Sequence, residues 1–209
     1  MVQRIVEAAT RAKLRPTMLD LVPFAIVRSV GSIEGVLEAE AGEEAIVDIG
    51  AEVTSICVHA AGLPRFVRIL PSGGGDITET VARALGVTSQ EAESLKVGNG
   101  VAHDDPAQAE EARKVAMSRA GSFADEIRSS LDFYVSQTPG ARIGRVLLTG
   151  GGSKLAGLGE LLDERLTAEV AAGHPFHRVS PAMKLAPEAL SETEPVLAVA
   201  VGLAIPGGR

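Results

Sequence analysis

Apolar positions recur along the chain with two different periods, and the switches between them mark the elements. In residues 2–13, Val2, Ile5, Val6 and Ala9 share one helical face, and Pro16 ends the helix. A short strand is expected at 18–21. Residues 23–38 read as a second helix, opened by Pro23 as a first-turn proline and weakened near its middle by Gly31. The spacing then tightens to strand-like runs. Residues 45–50, 53–60 and 65–70 predict three strands joined by short turns, with Gly62 and Pro64 as punctuation. Three consecutive strands with short turns make an antiparallel meander.

After Gly73-Gly74-Gly75 the helical period returns. Asp76 with Glu79 predicts a capping box opening a helix to 85, and Thr88 with Glu91 repeats the device for a helix to 97. Residues 98–106 form a polar loop containing His103. A long helix is expected over 107–137, with Gly121 as a candidate break, then a strand at 142–149. Gly150-Gly151-Gly152 leads into a helix over 154–168. Residues 174–193 hold Pro175, Pro181 and Pro187 and read as loop, and Pro195 starts a last apolar helix to 204. No internal repeat or low-complexity segment interrupts this order. It predicts an α/β fold with a mixed sheet.

Composition sharpens the picture. The chain has 209 residues, 45% of them hydrophobic, which is enough for a packed core. Aromatics make up 3% and there is no Trp, so that core must be built from Ala, Val, Leu and Ile. A net charge of −7 without any basic run argues against a broad nucleic-acid-binding surface. Cys57 is the one cysteine; it has no internal disulfide partner and reads as a small buried hydrophobe in a reducing compartment. No apolar stretch follows the first basic residues as in a secretory signal, and the run 196–205 is too short to span a bilayer. A soluble protein is expected, reaching a membrane only through a partner.

Four groups carry candidate chemistry. In Asp48-Ile49-Gly50-Ala51-Glu52-Val53-Thr54, Gly50 lets backbone N–H groups approach a phosphate and Thr54 offers a hydroxyl donor. Asp48 suits a hydrated Mg²⁺ or a water, and Glu52 is a second candidate for orienting water. The same residues also make an ordinary hairpin turn. Thr149-Gly150-Gly151-Gly152-Ser153 joins a strand to a helix, where a base or an α-phosphate can lie against bare backbone. Its spacing matches neither a P-loop nor a dinucleotide fingerprint. Glu93 and Lys96 stand at i and i+3 and project from one helical face, either as a solvated ion pair or as a grip on ribose and base. Gly73-Gly74-Gly75-Asp76 reads as a helix cap, with flanking of a nucleotide as the minority reading. His103 has only Asp104 and Asp105 beside it, too few ligands for a metal.

Taken in order, Asp48-x-Gly50-x-x-x-Thr54, the meander, Ala92-Glu93-x-x-Lys96 and Leu148-Thr149-Gly150-Gly151-Gly152 resemble the second lobe of the actin-like (ribonuclease H-like) ATPase superfamily. Leu19-Asp20-Leu21-Val22-Pro23-Phe24-Ala25, Gly73-Gly74-Gly75-Asp76-Ile77-Thr78 and Glu126-Ile127-Arg128-Ser129-Ser130 are similar to the type IV pilus assembly protein PilM family, a relative of the division protein FtsA. The resemblance implies ATP with Mg in a cleft between two lobes. The Asp48–Thr54 turn would be the second phosphate loop, Gly150, Gly151, Gly152 and Ser153 would face adenosine, and Glu93 and Lys96 would contact ribose and base. It implies a cytoplasmic adaptor, peripheral at the inner face of the plasma membrane, that docks the cytoplasmic tail of a PilN-type protein and links the motor to the pilus. Any ATPase activity is expected to be slow.

The first phosphate loop of the superfamily has no counterpart before residue 45, so the nucleotide site is expected to be incomplete in this chain, which alone should bind ATP and Mg weakly or not at all without the missing N-terminal half. Residues 1–44 are therefore expected to be a remnant of a largely missing first lobe, 45–194 the nucleotide-facing second lobe, and 195–209 a C-terminal helix and tail. A sugar or small-molecule kinase of the same superfamily is the enzyme alternative. An FtsA-like division protein is another, weakened by the ending Ile205-Pro206-Gly207-Gly208-Arg209, which cannot form a membrane helix.

Overall fold

The computed structural model describes residues 2–32, 42–98, 105–180 and 186–206. Its centre is a five-stranded sheet of order β3-β2-β1-β4-β5. The strands are β1 Glu43–Ile49, β2 Thr54–Ala60, β3 Leu63–Leu70, β4 Ile143–Thr149 and β5 Glu169–Ala172. The first three form the expected meander, β1 antiparallel to β2 and β2 to β3, while β4 lies parallel to both β1 and β5. Only β2 therefore runs against the rest.

The helices are α1 Val2–Arg11, α2 Val22–Val30, α3 Gly74–Leu85, α4 Ser89–Val97, α5 Pro106–Gln137, α6 Leu158–Arg165, α7 Pro187–Thr193 and α8 Ala198–Ala204. They cover the sheet on both faces, which explains why β1, β2 and β4 are continuous apolar runs rather than alternating ones. Ala45, Val47, Ile49, Ile56, Val58, Val146 and Leu148 face α3, α5 and α6. Ile46, Cys57 and Leu147 face α2 and α8. With few aromatics, the core closes by close approach. Ala112, Ala116, Ala120 and Ala124 recur every fourth residue along α5, and all are buried. A Cβ at Gly202 of α8 would fall 1.9 Å from the Ala25 carbonyl oxygen of α2, so only glycine permits that crossing. Cys57 is buried and unpaired.

Several sequence expectations need correction. Residues 18–21 form no regular element and pair with no described strand, so they are not a sheet element. Gly121 does not break α5, because its missing side chain makes room for the Arg165 guanidinium, 3.2 Å from where a Cβ would stand. The helix expected over 154–168 is a 3₁₀ turn, Gly151–Lys154, followed by the shorter α6, and its last residues feed β5. The loop expected over 174–193 ends in α7. Asp76 does not begin α3; it sits one turn inside, and its carboxylate accepts the Gly73 N–H at 2.8 Å. The Thr88–Glu91 box opens α4 as expected. The expected helix residues 33–38 and His103 lie outside the described residues.

Candidate functional site

Parallel pairing of β1 with β4 aligns Asp48 with Thr149. The turns that follow these two residues therefore leave the same end of the sheet, side by side. Gly150 has φ +83°, a conformation that favours glycine, and a Cβ there would stand 2.7 Å from Asp48 Oδ1 and 2.5 Å from the Ile49 carbonyl oxygen. Gly152 is bare for a second reason: a Cβ would meet Ile49 Cγ2 at 2.3 Å. Gly151 between them meets nothing within 4 Å and faces open space. Ser153 closes the turn, its hydroxyl donating to the Gly150 carbonyl at 2.7 Å.

The N-terminus of α3 is clamped on the β1–β2 turn. Gly74 N–H donates to the Gly50 carbonyl at 2.9 Å, and Gly75 N–H to the Ala51 carbonyl at 2.8 Å. These donors, normally left over at a helix start, are spent on fixing the hairpin. Gly73 and Gly75 are needed for that fit, since a Cβ at either would lie within 3 Å of the Ala51 carbonyl oxygen. Gly74 points the other way. A Cβ there would sit 3.6 Å from Gly152 Cα, 3.7 Å from the Gly50 oxygen and 3.7 Å from Lys96 Nζ. One point in space is thus bordered by the hairpin turn, the β4 turn, α3 and α4.

Lys96 and Glu93 reach this point from α4. Lys96 is about nine-tenths buried, and its ammonium donates to the Gly74 carbonyl at 3.0 Å and to Thr78 Oγ1 at 2.8 Å, and pairs with Glu93 Oε2 at 2.7 Å. Thr78 Oγ1 in turn donates to Glu93. Partial burial pushes the Glu93 carboxyl up, but the bonds from Lys96 and Thr78 outweigh it and hold it below the usual carboxylate value. The pair is solvated on one side only: Glu93 is half-exposed, while Thr78 and Gly74 build Lys96 into the α3–α4 junction.

Asp48 is the contrasting group. It is half-buried, and among the described residues its carboxylate has no hydrogen-bond or ion-pair partner. Burial alone pushes it up to about 6. A carboxylate held without a partner suits a cation or a bound water, because an incoming positive charge would recover the solvation that burial removed.

Two expected roles need correction. Thr54 does not offer a free hydroxyl: the residue is fully buried and donates to the Ser72 carbonyl at 2.8 Å, tying the start of β2 to the segment before α3. Ser153 likewise spends its hydroxyl on its own turn. Glu52 lies exposed on the hairpin turn with no bond to any described residue. Sequence reasoning undervalued Gly74, taken chiefly as a cap, and missed Thr78 and Pro195. The Pro195 carbonyl accepts both the Gly150 N–H and the Thr149 hydroxyl, each at 3.0 Å. Thr78 had a sequence signal, standing four residues after Gly74 and so on the same face of α3. Pro195 had none, because its carbonyl acts only through the fold.

A sheet of this order and sense, with the turns after two neighbouring parallel strands meeting at one end, defines an actin-like lobe. Comparison with known proteins gives it a family. The chain belongs to the type IV pilus assembly protein PilM family, whose model matches residues 1–207. It is 31% identical to a chain of a PilM-PilN type IV pilus biogenesis complex, with a TM-score of 0.78 over 97% of this chain and 56% of that one. The cell division protein FtsA of Escherichia coli (strain K12) is 33% identical over 102 residues, 49% of this chain and 23% of FtsA. MreB5 of Spiroplasma citri bound to ADP shares the fold at 12% identity, with a TM-score of 0.64 over 97% of this chain and 63% of that chain. The chain thus spans little more than half of the PilM chain and about a quarter of FtsA.

Proposed function

We propose that this chain is the nucleotide-facing lobe of an ATP-binding adaptor in type IV pilus assembly. In this reading nucleotide sets a conformation rather than fuelling work. The observation that carries it is the convergence on Gly74: Gly50 of the turn after Asp48, Gly152 of the turn after β4 and the ammonium of the Lys96–Glu93 pair all come within 4 Å of one point beside it. That arrangement suits an adenine nucleotide. Asp48 would hold Mg²⁺ through water, the turn around Gly50 (whose own N–H is spent on the Val53 carbonyl at 3.0 Å) and the bare Gly151 would admit phosphate and nucleoside to the backbone, and Lys96 and Glu93 would turn to the ribose and base. Mg²⁺ bound there would neutralise phosphate charge. MreB5, which shares this fold, was solved with ADP. Asp48 and Glu52 are the only groups of this chain proposed to orient water, so turnover is expected to be slow.

The reading extends to the remainder of the assembly. Residues 1–44 are proposed to belong with a first lobe, 45–194 with the second, and 195–209 with a closing helix and tail. No residue of α1 is buried, and Val2 and Ile5 are each 56% exposed, as apolar side chains would be where another lobe covers them. The PilM relative was solved with PilN, which supports a PilN-type tail as partner. Among the described residues no helix is long and apolar enough to cross a membrane. A place at the cytoplasmic face of the inner membrane, between motor and pilus components, is part of the same proposal.

The test is amide chemical-shift mapping of the ¹⁵N-labelled chain titrated with Mg-ATP, which reads weak as well as tight binding. Perturbations centred on Asp48, Gly74, Gly151 and Lys96 are expected. Saturating nucleotide that leaves these four amides unmoved would overturn the assignment.

A further inference from the structure

The sheet ends at β3, whose outer backbone edge pairs with no strand among the described residues. We propose that this edge docks an extended, acidic peptide segment of a partner protein, which adds to the sheet as a sixth strand. Such an edge supplies main-chain hydrogen bonds to any extended chain; its side chains decide which one.

Three features of β3 choose the guest. Pro64 and a bulge limit where pairing can occur: the register with β2 steps from Val58↔Phe66 to His59↔Pro64 and leaves Arg65 unmatched, so the regular stretch is 66–70. On one side of that stretch Val67 and Ile69 are 41% and 60% exposed. On the other, Phe66 packs on Phe133 and Tyr134 with ring centroids 6.3 and 5.3 Å apart, and the Arg68 guanidinium lies 5.9 Å from the centroid of the half-exposed Phe133 ring. Neither Arg65 nor Arg68 has a carboxylate partner among the described residues, although the chain carries a net charge of −7. A strand added here would meet two unpaired cations and, on the opposite side, two bare aliphatic side chains. The complementary sequence alternates, with Asp or Glu at every second position and Val, Ile or Leu between.

Proline, a bulge and charge are also the devices by which proteins keep sheet edges from pairing. Here the proline and the bulge bound the open stretch at one end only, a single charge (Arg68) lies within it, and Val67 and Ile69 remain uncovered. A second copy of this chain is a poor occupant. Antiparallel pairing of two β3 edges would gather four arginines into one short interface with no carboxylate to meet them.

The probe is a synthetic, fluorescein-labelled hexapeptide, Glu-Val-Glu-Val-Glu-Ile, with Lys-Val-Lys-Val-Lys-Ile as its charge-reversed control. The acidic peptide should bind with amide shifts centred on 66–70, while the control binds at least roughly tenfold more weakly. In the double variant Arg65→Glu, Arg68→Glu the preference should invert by a similar factor, which a merely unfolded protein could not produce. Three results would overturn the proposal: no binding at millimolar peptide, binding indifferent to either charge reversal, or shifts centred elsewhere. Peptide-free dimerisation through β3, read by sedimentation, would also overturn it in favour of a second copy. Loss of nucleotide binding leaves all these readouts in place, so the two assignments stand or fall separately.

Discussion

Gly150 and Asp48 stand so close that a single added carbon on the glycine would lie 2.7 Å from the aspartate Oδ1. The contact joins two strands separated by almost half the chain, and Asp48 beside it is largely shielded from water with no bonding partner among the described residues. The carboxylate is held by shape, not by hydrogen bonds, and it is therefore a stability cost that a ligand can relieve.

That cost has a pH signature. Burial pushes Asp48 from its usual 3.8 to about 6, so the folded chain binds this proton more tightly than the unfolded one. Its stabilising contribution is complete below pH 3.8, declines between there and about 6, and is absent at pH 7, a swing on the order of 3 kcal/mol. Asp48→Asn should remove this dependence and raise stability at pH 7 while weakening Mg-ATP binding. Urea unfolding across pH 4–8, with calorimetric nucleotide titration, checks both. A variant that is less stable at pH 7, or binds nucleotide unchanged, would contradict the role given to Asp48.

Gly74 and Gly150 should respond oppositely to alanine. At Gly74 the new methyl meets its neighbours at 3.6–3.7 Å, an ordinary contact, so the fold should tolerate it to within ~1 kcal/mol. The same methyl fills the space assigned to nucleotide, and affinity should fall roughly tenfold or more. At Gly150 a positive φ and a 2.5 Å clash predict a loss of ~3 kcal/mol or more. Thermal unfolding beside nucleotide titration separates the two cases.

Lys96→Met should loosen α4 from α3. It removes the ammonium from the Gly74 carbonyl, Thr78 and Glu93 at once, and a loss of about 1–3 kcal/mol is expected. Hydrogen exchange should show faster opening of α4 with little change in the amides of β1 and β4. Uniform acceleration across the sheet would mean that Lys96 supports the whole core instead.

At the far end of β1, Glu44 accepts from the Ser32 N–H at 2.8 Å and from the fully buried His59 at 3.1 Å. His59 Nδ1 takes the Gly62 N–H, so Nε2 carries the proton toward Glu44. Burial pushes the Glu44 carboxyl up, but bonds from His59 and Ser32 prevail and hold it below its usual 4.5. The stability this contributes is present above pH 4.5 and is lost as pH falls through the lower folded value. Glu44→Gln should cost about 1–3 kcal/mol at pH 7 and nothing extra in acid, as measured by denaturant unfolding at both pH values.

Much of the fold was legible because local chemistry and tertiary structure agree. The apolar runs of β1, β2 and β4 are continuous because helices cover both sheet faces, and Thr88 with Glu91 caps α4 by a purely local rule. The misreadings arose where a distant partner decides. Gly121 looks like a helix break until Arg165 is seen to need its space. Nothing near 169–172 announces a strand; β5 forms because β4 offers it an edge. At the candidate site, Asp48, Gly50 and the triple glycine were visible as turn residues of unusual bareness. Thr54 was misjudged because a hydroxyl in a sequence carries no sign of whether the Ser72 carbonyl has already claimed it. Gly74 was undervalued because its neighbours come from four separate segments.

The Pro195 carbonyl gives the glycine turn after β4 a mechanical connection. One oxygen with two lone pairs receives both the Gly150 amide and the Thr149 hydroxyl, and the residues that follow it wind directly into α8, which crosses α2 at Gly202. A shift of that turn large enough to stretch both bonds beyond hydrogen-bonding distance would either break them or carry the start of α8 along. The close crossing at Gly202 then ties α8 to α2, so the glycine turn after β4 and the helix that leads back to the exposed apolar side chains of the first residues belong to one connected path.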